Sequence, residues 1–377
     1  MVEKRAEVRY NIHGNAPDDQ NGTLTIPRDV KITASDPGQA DIHQIAAMRV
    51  NHIGFLRAYF VDGTNKKIIY EPWQYTLSDW LSLSSVQKYK HYIPEGFTAD
   101  HYKISMDVID YIRYLLYALM HLHKKNYCVD GNFTIDNVVI SNGMPKFKGL
   151  GVRLINEKQK EQEVAQVKGD YTNFRKLVNR ILTYNDSPCP PNRQTPEGIK
   201  CPEDDSNCAQ HSKCPADMRH FLDLLPDPIG NEILIMYHCA LWTSKQKMGY
   251  LHLFHDGWDY LPGRIQKSLE IKFDNITELG NWKADAMKQK NSPLYRVYQF
   301  KNRPKYIRYH FEFLRHYIAH VSKKVTWRDY DLNKVEGVLT ATYPLSLCFL
   351  LKKLHEIDPG GYWLIEYLPK KLENVFQ

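Results

Sequence analysis

Seven apolar residues, Ile104, Val108, Ile109, Ile112, Leu115, Leu116 and Leu119, recur at i, i+3, i+4 and i+7 within DHYKISMDVIDYIRYLLYALMHLHKK. That spacing puts one apolar stripe on a helix, so a long helix with a buried face is predicted over 100–125. Directly behind it, NVVI and PKFKGL are two β-rich runs joined by Ser141-Asn142-Gly143, a turn that closes a hairpin. A long helix feeding a hairpin sets the class as α+β.

The rest of the chain divides around this unit. Residues 1–40 are polar and turn-rich, with one short β-like run, DVKIT. DIHQIAAMRVNHIGFL reads as a helix followed by a strand, and RAYFVDGTNKKIIYEPW as a hairpin around Asp62-Gly63. TLSDWLSL opens a helix behind a Thr/Ser cap. From Tyr171 the pattern is helical almost throughout, apart from a Pro/Cys/Asp-rich loop at 185–216 and the LPDPIG turn. There is no internal repeat. At 377 residues, 43% hydrophobic and 25% charged, the chain reads as an ordinary globular protein with room for two domains. No apolar run approaches the roughly 18–20 residues of a membrane span, and no secretory signal opens the chain. Cytosol or nucleus is the expected location.

Cys128, Cys239 and Cys348 sit in apolar runs and are expected to be reduced core residues. Cys189, Cys201, Cys208 and Cys214 match none of the usual zinc spacings. They read as free thiols of a surface insertion; a zinc knuckle using His211, or a pair of disulfides, stays open.

Charge is unevenly placed. Residues 261–377 hold 20 Lys+Arg against 12 Asp+Glu, and within 291–325 Glu312 is the sole acid. A basic region confined to one part of a chain suits a polyanion, or is a solvated lysine-rich face. Inside it lies FLRHYIAH, where helical pitch sets Arg315 at about 0°, His316 at about 100° and His320 at about 140°.

Registered on Asn137-Val138-Val139-Ile140, the stretch LLYALMHLHKKNYCVDGNFTIDNVVISNGMPKFKGLG resembles the helix, catalytic loop and following hairpin of protein kinases, with their H-R-D-L-K-P-x-N and D-F-G. Asn132 falls on the catalytic-base position, Thr134 on the lysine, Asn137 on a metal ligand and Gly149 on the magnesium-binding aspartate. GDYTNFRKLVNRIL is similar to the family's αF helix with its leading aspartate, here Asp170. Lys31 stands either where the family's phosphate-binding strand lysine stands or as an exposed strand lysine. Phosphoryl transfer needs one carboxylate for the hydroxyl proton and another for Mg²⁺. An amide at 132 takes no proton at neutral pH, and Gly149 offers no ligand. The resemblance implies a bilobal kinase-like fold without kinase activity: a reduced N-lobe over 1–75 and a C-lobe-like region over 76–256. ATP or ADP binding has no motif behind it, since no G-x-G-x-x-G precedes DVKIT.

HCALWTSKQKMGYLHLFHDGWDY and the 306–352 segment resemble the Ire1/RNase L family, in which a kinase is fused to a helical kinase-extension nuclease (KEN) domain. His238, Trp242, Leu251 and Asp256 stand in register, with Cys239 in place of a proline. The family's central nuclease helix carries an arginine, then asparagine, and a histidine five residues after the arginine; Arg315, His316 and His320 fit, with His316 in the asparagine position. Tyr343-Pro344 matches the closing helix, and Trp282 falls where RNase L has a tryptophan near its active site. This implies an all-α nuclease domain over 257–377.

RNA carries its own nucleophile, the 2′-OH. Metal-free cleavage then needs a base, an acid for the leaving 5′-oxygen and a cation on the phosphate. The resemblance assigns His320 as acid, Arg315 as phosphate clamp, His316 as donor or second acid/base, and Tyr306 or Tyr309 as the group that helps activate the 2′-OH. Lys301, Arg303, Lys305 and Arg308 would bind flanking phosphates, and Trp282 would stack a base. Arg315 as an ion-pair partner of Glu312, Trp282 as core filler and His238 as a structural residue at a helix start are the structural counterparts. The expected partner is RNA rather than DNA or membrane, with no cofactor required. Cleavage is expected to need a homodimer, or a heterodimer with a related protein. The other reading is an inactive pseudokinase and pseudonuclease that binds or titrates an active relative.

Overall fold

A computed structural model of the chain describes residues 6–11, 21–26, 32–33, 52–62, 67–83, 91–92, 103–129, 133–150, 152–155, 160–184, 214–270, 307–324 and 332–360. Helix and antiparallel sheet are mixed, as expected for α+β. The chain gathers into two units: Met1–Gln87 with Tyr111–Asn185, and Lys88–Asp110 with Asp186–Gln377.

The first unit holds the strands that local turn chemistry predicts. Ala58–Asp62 and Lys67–Tyr70 form the expected hairpin, with Asp62 opposite Lys67, and Ile32–Thr33 joins the free edge of Lys67–Tyr70. Val138–Ser141 pairs with Met144–Phe147 around Asn142 (φ 52°) and Gly143 (φ 73°). Two consecutive left-handed residues make the tight turn whose twist matches the strands, and Asn-Gly is the pair that adopts it most cheaply. Thr76 caps the Leu77–Ser82 helix: its Oγ1 accepts from Asp79 N at 3.1 Å, while Asp79 Oδ2 accepts from Thr76 N.

The long helix runs Met106–Lys124 and begins later than its apolar stripe suggests. Lys103–Ile104 is instead a short strand paired with His91–Tyr92, and Ser105 Oγ accepts from Val108 N at the helix start. The predicted stripe from Val108 to Leu119 is buried. The Lys160–Leu182 helix starts upstream of the GDYTNF stretch and buries Tyr171, Phe174, Leu177 and Val178.

The second unit has one core, shared by Ser244–Asp256, Gly263–Leu269, Ile307–Lys324, Leu332–Thr342 and Ser346–Ile357. Leu251, Phe254, Ile265, Phe311, Leu314, Tyr317, Leu350 and Leu351 interdigitate there. Each such side chain contributes roughly 1.5–3 kcal/mol by leaving water. Cys239 and Cys348 are buried, free thiols of this core, and Cys128 is one in the first unit, as expected. Among the described residues no single helix is long and apolar enough to cross a membrane.

One ionic group is threaded through this second unit. Lys247 Nζ donates to Asp217 Oδ2 at 2.7 Å and to Glu336 Oε1 at 3.0 Å, and Lys103 pairs with Glu336 from the other side. Two ammonium groups meet two carboxylates, so the buried charge balances. The Asp217 carboxyl is held below its ordinary range by Lys247 against the opposing effect of burial, and the Lys247 ammonium is correspondingly raised by Asp217. Removing one member strands a buried charge, which costs about 3–5 kcal/mol, whereas an exposed pair contributes less than about 1 kcal/mol. Lys247→Ala is therefore expected to lower unfolding free energy by about 3–5 kcal/mol, and Lys353→Ala, which breaks the exposed pair with Glu356, by under about 1 kcal/mol. Urea titration of both variants measures the contrast; equal losses would contradict it.

Candidate active site

The site grows from two helices whose apolar faces meet. Ser244–Asp256 starts at a capping box, where Thr243 Oγ1 accepts from Gln246 N and Gln246 Oε1 accepts from Thr243 N. It buries Lys247, Met248, Tyr250, Leu251 and Phe254 and leaves His252, His255 and Asp256 on its less covered side. Ile307–Lys324 buries His310, Phe311, Phe313, Leu314, Tyr317 and Ile318 and leaves Arg308, Glu312, Arg315 and His316 outside that core. Phe254 meets Phe311 edge-on, ring centres 5.6 Å apart. That contact sets the register that brings the two polar faces together.

The resulting cluster holds charges of both signs. Arg315 Nη2 lies 3.7 Å from Asp256 Oδ1, and His255 Nδ1 lies 3.0 Å from the same oxygen. His316 Nε2 lies 3.4 Å from Glu312 Oε1, and its ring stands edge-on to His255 with centres 6.3 Å apart. Arg315 thus pairs with Asp256 across the helices, and the carboxylate expected for it, Glu312, serves His316 instead. The Arg315 Nε is covered and makes no hydrogen bond among the described residues. Burial lowers His252 below its ordinary value; Arg315 and His255 push the same way while Asp256 opposes them. Arg308 stacks over the Trp258 ring at 4.9 Å, with Glu270 at 3.9 Å.

Of the predicted catalytic set, Arg315 and His316 come together on one helix. His320 lies on that helix too, but its side chain is outside the described residues, as are Trp282, Lys301, Arg303, Lys305 and Tyr306. Tyr309 is half-buried beside Arg308 in sequence. His255 and Asp256 complete the cluster. Asp256 was visible as a register residue, but no spacing in the sequence joins either residue to Arg315, because the approach is made by packing.

The kinase-like positions in the first unit are occupied by structural work. Asn137 Oδ1 accepts from Thr134 N at 2.9 Å, and Asn137 Nδ2 donates to Lys148 O at 3.5 Å, so its amide is committed to a local cap. Gly149 has φ 62°, a conformation that favours glycine, and brings no side chain. Asp170 is buried, and its Oδ2 accepts from Val129 N at 2.9 Å and from His123 Nε2 at 2.8 Å. Lys31 and Asn132 lie outside the described residues, as does most of the 185–216 insertion. Cys214 at its end has a thiol pushed up to about 12, mainly by burial.

One other group has the look of a metal centre. Donor atoms of His220, His238 and Cys348 lie within 4.8 Å of one another, and Cys239 Sγ is 3.4 Å from Cys348 Sγ. The donors do not fit a cation. His238 Nδ1 accepts from Ala240 N at 3.1 Å, so that nitrogen carries no proton. A neutral imidazole then bears its proton on Nε2, which donates to His220 Nδ1 at 2.9 Å. Both lone pairs that a metal would need are taken by this relay, and His238 is the structural residue at a helix start that its position suggested.

Comparison with models of known protein families finds no match, and no curated protein matches the chain either.

Burial holds His238 and His310 at about 3, far below an ordinary histidine. In the unfolded chain both take up protons near 6.5, while folded they stay neutral to about 3. Stability is therefore full above about pH 7 and falls as pH drops through 6.5 towards 3, by about 1.4 kcal/mol per pH unit for each histidine. His310→Gln, which retains a partner for Ser346 Oγ at 2.7 Å, is expected to flatten the pH 4–6 slope of unfolding free energy by about 1.4 kcal/mol per unit. Urea titrations across that range test it, and an unchanged slope would contradict a neutral buried His310.

Proposed function

We propose that this chain is a metal-independent endoribonuclease, cleaving RNA by attack of the 2′-OH to leave a 2′,3′-cyclic phosphate. The kinase-like part expected over 1–256 lacks phosphotransfer activity on this reading and controls cleavage through dimerisation. The observation that carries the proposal is the meeting of Arg315 and His316, in the basic part of the chain, with His255 and Asp256. A guanidinium grips phosphate oxygens in a fixed fork and never loses its charge. Imidazoles transfer protons near neutrality. With His320 one turn beyond His316, the helix carries the residue types that transesterification of RNA requires.

The kinase-like reading of the first unit draws on the Asp170 carboxylate holding the backbone at Val129, just before the loop equivalent to the catalytic loop. Absence of phosphotransfer rests on the amide at 132 and glycine at 149, and the use of the Asn137 amide as a cap supports it.

A second reading has one observation in its favour: each of the two partly exposed side chains already faces a carboxylate, Arg315 with Asp256 and His316 with Glu312. A cluster whose groups are already matched to carboxylates suits a binding or titrating module.

Incubating the purified chain with a stem-loop RNA in EDTA separates the two. The nuclease reading expects cyclic-phosphate ends and specific activity that climbs with protein concentration. Arg315→Ala is expected to reduce kcat by about 10²–10³, and His320→Ala by about 10²–10⁴. No cleavage at any concentration would leave the binding module standing.

A further inference from the structure

We propose that His255 is the general base of this site, oriented by Asp256, and that it takes the proton of the RNA 2′-OH. The proposal rests on the ribonuclease reading and deepens it, replacing the tyrosine expected in that role. A useful base needs a lone pair fixed in the direction of the substrate. His255 Nδ1 sits 3.0 Å from Asp256 Oδ1, so its Nδ1–H donates to the carboxylate and the lone pair resides on Nε2. A carboxylate behind an imidazole selects the tautomer and stabilises the imidazolium formed on proton transfer. The His255 side chain is 31% exposed, and its Nε2 makes no hydrogen bond among the described residues.

The location is right as well as the tautomer. The carboxylate oxygen that orients His255 is also 3.7 Å from Arg315 Nη2. Arg315 and His255 therefore meet at one carboxylate, which puts the clamp and the base in the same cluster. The groups facing His255 are His252 and Asp256 on its own helix and Arg315 and His316, with Glu312 behind His316, on the opposing one. The base thus comes from Ser244–Asp256 and the clamp from Ile307–Lys324.

In the step, the 2′-O–H bond breaks and its proton moves to His255 Nε2. The 2′-oxygen forms a bond to phosphorus, the P–O5′ bond breaks, and the 5′-oxygen takes a proton from His320, the acid of the reading above. His255 leaves the step as imidazolium and His320 as neutral imidazole, and exchange with water resets both.

The test uses the full chain in EDTA with two stem-loop RNAs, one natural and one with sulfur replacing the bridging 5′-oxygen at the scissile bond. A sulfur leaving group needs no acid, but the 2′-OH still needs a base. His255→Ala is expected to lower kcat by about 10²–10⁴ on both RNAs, with KM little changed. Added imidazole restores part of the rate, and the acid limb of the pH–rate profile disappears. Asp256→Asn keeps the base and is expected to move that limb to lower pH. Thermal unfolding of each variant separates misfolding from lost chemistry: partial imidazole rescue requires a folded site. If the sulfur substrate cancels the His255→Ala defect, His255 is the acid and the assignment is overturned. If the natural chain cleaves and His255→Ala cleaves equally well, the base assignment falls while the nuclease reading stands. If the natural chain cleaves neither RNA, both fall together.

Discussion

The buried ammonium of Lys247 is what the candidate site depends on. It sits on the core side of Ser244–Asp256, held by Asp217 from the Ala216–Leu224 helix and by Glu336 from Leu332–Thr342. A charge in that position has few alternatives: it is satisfied by those two carboxylates or it is stranded at a cost of several kcal/mol. The rotation of the helix about its own axis is therefore specified more sharply than apolar packing alone would specify it. His252, His255 and Asp256 lie on the same helix, so fixing one face fixes the other. The Phe254–Phe311 contact then sets how far along Ile307–Lys324 that polar face falls, and the answer is Arg315 and His316.

The two units use similar residue types to opposite ends. In the first, Asn137, Thr134 and Asp170 spend their polar atoms on the backbone: a cap at the start of a short helix and a brace on Val129. Groups so engaged are poor candidates for binding a metal or moving a proton. In the second, one carboxylate, Asp256, faces both His255 and Arg315. The polar atoms at the kinase-like positions are thus engaged locally, whereas His255 Nε2 in the second unit makes no hydrogen bond among the described residues.

Local structure was legible wherever it is decided locally. The Asn142-Gly143 turn, the Thr76 cap and the stripe from Val108 to Leu119 each follow from a short run of residues, and each is found. The start of the long helix was not legible, because Lys103–Ile104 is captured as a strand by His91–Tyr92. That is a tertiary choice overriding a helical pattern that is continuous in sequence. The site divides the same way. Arg315 and His316 could be read from their spacing on one helix, whereas His255 joins them only through packing between helices far apart in the chain. The structural alternative that paired Arg315 with Glu312 rested on sequence proximity, and packing gives Arg315 Asp256 instead.

The pairing of Arg315 with Asp256 bears on whether such a cluster can work. At 3.7 Å, with the Asp256 side chain 57% exposed, this ion pair is worth at most about 1 kcal/mol. A phosphate bound through two charge-assisted hydrogen bonds gains about 1.5–3 kcal/mol for each. Under the proposed function, giving up the carboxylate for a phosphodiester therefore loses little, and the resting contact keeps the guanidinium in position without blocking it. Once the phosphate takes the guanidinium, Asp256 is left with His255 as its partner. A carboxylate relieved of a competing cation stabilises the neighbouring imidazolium more strongly. Arrival of the phosphate would thus strengthen the base in the same event that presents the proton to be removed.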